Sequence, residues 1–331
     1  MKEAMFWRRQ EGKAVQCELC PHNCSIDEGD RGICNVRENR KGKLYSLVYG
    51  KVASLAVDPI EKKPLYHFHP GTSVLSYGTM GCNFSCNFCQ NASLSCGDPN
   101  SPFLKSYSVE EMVERISKQD GIAWTYNEPS VSYEFSFDVF KDLKERYDRY
   151  TVYVTNGYMN KDPLDKIAPY LDAMNIDIKA FTEKFYQKIV GGSLQPVLET
   201  AKRAVQNDIH LEITYLIIPK HNDSFEEISK FSRWVLENLG EDTVIHFSRF
   251  HPDHNMRNLK STPPSKMRDA RKLAQDVGAN FVYLGNIRAD NDTRCPECDS
   301  VLLSRSYFSS SKLELECGNC PNCGRSIPVI T

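Results

Sequence analysis

The chain has 331 residues, 41 basic and 43 acidic side chains, a formal charge of −2 and 40 % hydrophobic residues. That length predicts about two ordinary domains or one α/β barrel with attachments. The apolar fraction excludes wholesale disorder, and the near-neutral balance argues against a protein whose main task is gripping nucleic acid. No run approaches the ~18 apolar residues that span a bilayer, and the opening MKEAMFWRRQEGK lacks an apolar signal region. The expectation is a cytoplasmic protein with no membrane partner.

Thirteen cysteines are more telling by placement than by number. Disulfide frameworks belong to short secreted chains, whereas tight Cys-x-x-Cys pairs in a reducing compartment hold metal. The first group, Cys17, Cys20, Cys24 and Cys34, falls within a predicted Cys-rich N-terminal extension over residues 1–70. Zinc and an auxiliary iron–sulfur cluster both suit four thiolates, and His22 could replace one of them. The reading leans to zinc or an unmetalled structural module.

A strand-like run at Ser73–Tyr77 leads into Gly81-Cys82-Asn83-Phe84-Ser85-Cys86-Asn87-Phe88-Cys89-Gln90-Asn91, a C-x3-C-x2-C loop. Three thiolates can wrap a four-iron cluster but leave one iron without a protein ligand. An open iron can bind a substrate or cofactor. On spacing alone a zinc knuckle with a distant fourth ligand competes. With Phe88 just before the last cysteine, the loop resembles the signature of the radical S-adenosylmethionine (SAM) superfamily. The resemblance implies a [4Fe–4S] cluster on Cys82, Cys86 and Cys89. It further implies reductive cleavage of SAM to methionine and a 5′-deoxyadenosyl radical, which abstracts hydrogen from a substrate.

Further strand-like runs follow at Ile122–Thr125, Thr151–Thr155, Ala173–Ile178, Ile209–Ile218, Thr243–Phe247 and Phe281–Leu284. Helix-like stretches alternate with them at Ser108–Lys118, Val131–Arg146, Lys161–Pro169, Pro196–Asn207, Ser224–Leu239 and Pro263–Val277. Alternation predicts a parallel sheet. Six or so units suit an α/β fold with a partial (β/α)6-type, TIM-like radical SAM barrel over residues 71–290.

Candidate site residues then fall at strand ends. Thr125-Tyr126-Asn127-Glu128-Pro129 resembles the element that binds the SAM amino group in glycyl-radical-enzyme activases, which casts Tyr126, Asn127 and Glu128 as cofactor-binding. Thr155-Asn156-Gly157 resembles a further activase element, with Asn156 touching SAM. Period-two geometry puts Asn175, Asp177 and Lys179 on one face of their strand. The resemblance assigns Lys179 to the methionine carboxylate and Asp177 to a ribose hydroxyl or the ammonium. A structural Asp–Lys pair is the bland alternative. His251, in His246-Phe247-Ser248-Arg249-Phe250-His251-Pro252, resembles a histidine near the adenosyl group. His67 and His69 could close the barrel bottom or shield the cluster.

Over residues 291–331, Cys295-x2-Cys298 and Cys320-x2-Cys323 have the spacing of a zinc ribbon. Two such turns supply the four sulfurs that structural zinc prefers. Val301–Leu303 and Lys312–Leu315 read as strands of a hairpin between them, and Cys317 falls outside the set. Arg294, Arg305, Tyr307, Phe308 and Arg325 could serve nucleic acid, but Glu297, Glu314 and Glu316 dilute that charge, so a docking or capping module is expected.

The whole chain resembles the AmmeMemoRadiSam system radical SAM enzymes, relatives of pyruvate formate-lyase activating enzyme. The match runs through Cys17–Cys24, Gly29–Cys34, Asp58–Leu65, Val190-Gly191-Gly192, Ile217-Ile218-Pro219, Asn222-Asp223-Ser224 and His246–Pro252. Lys220 and Ala92 depart from the usual pattern beside motifs rather than within them. The resemblance implies an unidentified substrate, a reductant such as ferredoxin or flavodoxin, and Memo-like and AMMECR-like partners. Activation of a glycyl-radical enzyme is the second reading, and a zinc-stabilised scaffold the third.

Overall fold

The computed structural model describes residues 1–306, 308–311 and 313–331. Tyr307 and Lys312, both named above for the C-terminal module, lie outside the described residues. The central sheet contains β1 (Ser54–Pro59), β2 (Ser73–Gly78), β3 (Gly121–Trp124), β4 (Tyr150–Thr155), β5 (Ala173–Asp177), β6 (His210–Ile217), β7 (Val244–Arg249) and β8 (Val282–Gly285). They lie side by side in chain order. Strands β2 to β8 run parallel and coincide with the seven strand-like runs of the sequence. β1 adds antiparallel to β2, with Ser54 opposite Gly78 and Pro59 opposite Ser73. The sheet therefore takes its edge strand from within the predicted N-terminal extension.

Helices α1 (Val109–Ile116), α2 (Tyr133–Arg146), α3 (Lys161–Ile167), α4 (Leu194–Gln206), α5 (Phe225–Leu239) and α6 (Pro264–Val277) fall where apolar periodicity placed them. α1 opens on a capping box: Ser108 Oγ accepts from Glu111 N at 3.1 Å, and Glu111 Oε2 accepts from Ser108 N at 2.8 Å. Such a cap contributes about 1 kcal/mol. Strand alternation divides the core. Leu75, Trp124, Tyr153 and Met174 pack with Ile116, Phe140 and Ile167 of the helices. Their neighbours Val74, Ala123, Val152 and Ala173 face the barrel interior, where Ile60, Leu65 and Phe68 plug its base.

A buried carboxylate locks that plug. Glu212 of β6, fully buried, accepts from Tyr66 N at 2.9 Å, His67 N at 2.7 Å and His246 Nε2 at 2.6 Å. Burial alone would raise its pKa, but hydrogen bonds from His210 and His246 outweigh it and hold the carboxyl far below its usual range. His67 is thereby part of the base: Nε2 meets Tyr283 Oη at 2.7 Å and Nδ1 meets the Pro328 carbonyl at 3.2 Å. Neither His67 nor His69 lines the cysteine cavity described below.

The N-terminal segment forms two small three-stranded sheets. It is pinned to α2 by the buried ion pair of Arg37 with Glu134, whose Oε1 also accepts from Met5 N at 2.8 Å. At the other end, Val301–Leu303 pairs with Thr293–Arg294 on one side. On its other side the Leu302 carbonyl accepts from Glu314 N and the Ser304 carbonyl from Ser311 N, both at 2.8 Å, in the sense of the expected hairpin. The serine-rich stretch between turns back on itself, pairing Arg305–Ser306 with Ser309–Ser310. The tail returns to the base, where Ile330 N donates to the His67 carbonyl at 2.8 Å and His69 N to the Ile330 carbonyl at 2.7 Å. Among the described residues no helix is long and apolar enough to cross a membrane.

Candidate active site at the strand ends

At the C-terminal ends of β2 to β7 lies a cavity of about 440 Å³. Its lining brings together Cys82, Cys86 and Cys89 with Tyr126, Asn127, Glu128, Asn156, Asp177 and Lys179. Residues separated by about a hundred positions thus meet because every parallel strand ends on the same side.

The loop carrying the cysteines is held from three directions. Asn127 Oδ1 accepts from Thr79 N at 3.0 Å, and its Nδ2 donates to the Gly81 carbonyl at 2.7 Å. Asn156 Nδ2 donates to Asn83 Oδ1 at 2.8 Å and approaches Cys82 Sγ at 3.8 Å. The Val190-Gly191-Gly192 turn packs directly beneath: a Cβ on Gly192 would stand 2.4 Å from Phe84 Cε1, and one on Gly191 2.5 Å from Ser85 Oγ. Those glycines are required by close approach, and Gly191 also has φ of +85°.

Burial pushes the Cys82 thiol well above its ordinary pKa, with Glu128 adding to it. Cys86 rises to about 12, again mainly by burial and partly offset by Lys179. Without metal, Cys82 and Cys86 are therefore protonated at neutral pH, and a bound metal must displace those two protons. Three sulfurs facing one cavity, with N–H groups of Phe84 at 3.4 Å and Asn156 at 3.8 Å directed at Cys82, suit an anionic iron–sulfur group.

Asp177 Oδ2 and Lys179 Nζ stand 2.8 Å apart on the cavity wall. Burial lowers the Lys179 pKa, but Asp177 and Cys86 outweigh it and the net shift is upward, so the ammonium stays charged. Glu128 differs from its sequence-based expectation in its contacts. Its carboxylate accepts from Thr155 Oγ1 at 2.8 Å, Asn156 N at 2.9 Å and Ser130 N at 3.0 Å, which fixes the ends of β3 and β4. Tyr126 has φ of +69° and donates its hydroxyl to Asp58 at 2.9 Å.

His251 is not on this cavity. It lines a second, adjoining one of about 870 Å³, and its Nδ1 meets Gln90 Nε2 at 3.1 Å. The two cavities share Lys62, Thr214 and Ser248. Sequence reasoning missed these three, together with Lys63, Gln90 and Asn91. No local signal marked the lysines, since Glu61-Lys62-Lys63 reads as a surface charge run.

Elsewhere, the Sγ atoms of Cys295, Cys298, Cys320 and Cys323 all lie within 4.8 Å of one another, forming a group able to hold a metal. Their pairwise approaches of 3.5 Å and 3.6 Å are close to the roughly 3.8 Å edge of a tetrahedral zinc–sulfur site. Cys317 is exposed and outside the group.

The Radical SAM superfamily profile matches residues 76–232. An uncharacterized protein of Methanocaldococcus jannaschii is 42 % identical over 336 residues, covering 100 % of both chains. Pyruvate formate-lyase 1-activating enzyme of Escherichia coli K12 is 24 % identical over 195 residues, 55 % of this chain and 75 % of that one. Among solved structures, Streptococcus suis SuiB bound to its precursor peptide SuiA superposes with a TM-score of 0.52 at 16 % identity, over 69 % of this chain and 51 % of that one.

Proposed function

The chain belongs to the radical SAM superfamily, and we propose that Cys82, Cys86 and Cys89 hold its [4Fe–4S] cluster with SAM seated beside it in the strand-end cavity. What carries the reading is the meeting in one cavity of three half-buried thiols and the Asp177–Lys179 pair. When bound, the cluster and SAM supply one chemistry: an electron from a ferredoxin- or flavodoxin-class donor breaks a sulfonium C–S bond, giving methionine and a 5′-deoxyadenosyl radical that takes a hydrogen atom from substrate.

The protein's own part is binding, orientation and exclusion of water. Lys179 binds the methionine carboxylate, and Asp177 a ribose hydroxyl or the ammonium. The Tyr126–Glu128 turn offers carbonyl oxygens to the ammonium, with Glu128 holding that turn against Asn156. Asn156 directs an N–H at Cys82. His251 flanks the adenosyl side through Gln90. Substrate occupies the second cavity, which shares the wall at Thr214 and Ser248 with the first.

The extended matches at Cys17–Cys34, Asp58–Leu65 and Val190–Gly192 support membership of the AmmeMemoRadiSam group, with Memo-like and AMMECR-like partners. The Asp58–Leu65 run supplies the cavity lysines and part of the plug, and the Val190–Gly192 run the glycines beneath the loop. Zinc on Cys295, Cys298, Cys320 and Cys323 would hold residues 291–331 as a ribbon, and 1–70 and 71–290 serve as extension and catalytic core. Likeness to activating enzymes keeps activation of a glycyl-radical enzyme as the second reading.

The test is release of 5′-deoxyadenosine by anaerobically reconstituted full-length protein given SAM and a strong reductant. Cys86→Ala should abolish release. A wild-type protein whose three-cysteine cluster is spectroscopically intact, yet which releases none, overturns the reading.

A further inference from the structure

The four N-terminal cysteines stand outside the chemistry above. Cys17 ends the strand Val15–Cys17, Cys20 and Cys24 lie in the turn after it, and Cys34 closes the following loop. All four line one small enclosed cavity, together with His22, Arg37 and Asn83.

Spacing separates this group from the C-terminal one. A single ion about 2.3 Å from each sulfur draws four sulfurs to about 3.8 Å of one another, as at Cys295, Cys298, Cys320 and Cys323. Among the described residues, no other group of His, Cys, Asp or Glu atoms lies within 4.8 Å of one another in that way. Neither the N-terminal thiols nor Cys82, Cys86 and Cys89 form such a single-ion group. A multi-iron cluster does not call for one, because its thiolates bind different metal atoms and stand farther apart.

Arg37 adds a donor. It is 1 % exposed, lines the same cavity, and places Nη1 3.6 Å from Cys17 Sγ. Its charge is already paired with Glu134, but its Nε has no hydrogen-bond partner. A buried N–H left without an acceptor is costly, and the sulfur atoms of a four-thiolate cluster would supply one.

The cavity also abuts the catalytic loop on both sides of Cys82. His22 Nε2 meets the Asn83 carbonyl at 2.7 Å, and a Cβ on Gly81 would stand 2.7 Å from the Cys34 carbonyl. We propose that Cys17, Cys20, Cys24 and Cys34 ligate a second iron–sulfur cluster, packed against the radical SAM loop. A redox group suits this place better than zinc, since the loop needs one electron per turnover. That last point rests on the proposed function, whereas the spacing and Arg37 do not.

The decisive protein is full-length chain carrying Cys82→Ala, Cys86→Ala and Cys89→Ala, purified anaerobically. It should retain about four iron and as many sulfide per chain, with a reduced paramagnetic signal indifferent to SAM. Adding Cys20→Ser and Cys24→Ser should remove that iron while leaving zinc unchanged. An iron-free triple variant, with or without zinc in the N-terminal group, overturns the proposal. Should the triple variant not fold, reduced wild-type protein decides. Two paramagnetic signals, only one shifted by SAM, support a second cluster, whereas one signal that shifts with SAM overturns it and leaves the proposed function standing. A lone signal blind to SAM, without 5′-deoxyadenosine release, would instead sink the proposed function and keep the N-terminal cluster.

Discussion

Lys179 Nζ lies 2.8 Å from Asp177 Oδ2 at the end of β5, on the cavity wall shared with the three cysteines. The pair is pre-arranged to offer one cation and one anion to a zwitterion, and Tyr186 Oη accepting from Lys179 N at 3.0 Å fixes the turn that presents it. Hydrogen bonds to charged groups contribute about 1.5–3 kcal/mol. Lys179→Met should therefore weaken SAM binding about 10- to 100-fold while iron content stays at the wild-type value. Calorimetric titration of the reconstituted protein checks both, and unchanged SAM affinity would return the pair to a structural role.

A second expectation concerns Gly192, whose missing Cβ makes room for the Phe84 ring. An added methyl at 2.4 Å from Phe84 Cε1 cannot be absorbed by a flexible tip, because Phe84 is itself packed against Tyr158 with ring centroids 4.8 Å apart. Gly192→Ala should shift the cysteine loop, costing about 1–3 kcal/mol and lowering cluster occupancy on reconstitution. Iron analysis beside thermal unfolding reads the two effects separately, and full occupancy would show that the loop tolerates the displacement.

What was legible in the chain was local. Parallel strands bury both faces, so the runs around Val152 and Ile176 stood out, and strict alternation placed Asn175 and Asp177 together before any coordinates. The C-x3-C-x2-C loop carried its chemistry in its spacing. The hidden features depend on contacts across long separations. Glu212 receives Tyr66 N from 146 residues away, and nothing near either residue announces that the stretch after β1 plugs the barrel. Lys62 and Lys63 were passed over for the same reason: a charged pair reads as surface until Asp58 is seen accepting from them at 2.7 Å and 2.8 Å. The C-terminal hairpin was legible in part: Glu314 N does donate to the Leu302 carbonyl at 2.8 Å, but the second partner of Val301–Leu303, Thr293–Arg294, carries too short a pattern to be read.

Removing metal from the C-terminal group gives a third expectation. Cys295 and Cys320 are buried against Phe281 and Tyr283, so the metal would tie the end of the chain to β8. Some 40 residues bury too little core to hold alone, and metal binding would supply the folding energy. Cys320→Ser should release about one zinc per chain and open residues 291–331 to limited proteolysis, with residues 71–290 still folded. Proteolysis followed by mass spectrometry reads this, and a protected C-terminus in zinc-free protein would argue against the metal.

The base of the barrel sets a pH limit. Burial pulls the His67 pKa from 6.5 to about 3, with neighbouring Arg305 and His210 adding to the fall and Glu212 opposing it. In the neutral ring Nδ1 donates to the Pro328 carbonyl and Nε2 accepts from Tyr283, so both nitrogens are satisfied; protonation would destroy the acceptor. Between pH 6.5 and about 3 the unfolded chain binds a proton here that the folded chain refuses. Stability is therefore complete above pH 6.5 and falls as pH drops through that window, by at most about 4–5 kcal/mol. His67→Gln keeps one donor and one acceptor without titrating, so it should flatten the dependence of thermal midpoint on pH between about 4 and 6.5, whatever its cost at neutral pH. An unchanged slope would place the acid sensitivity at another group.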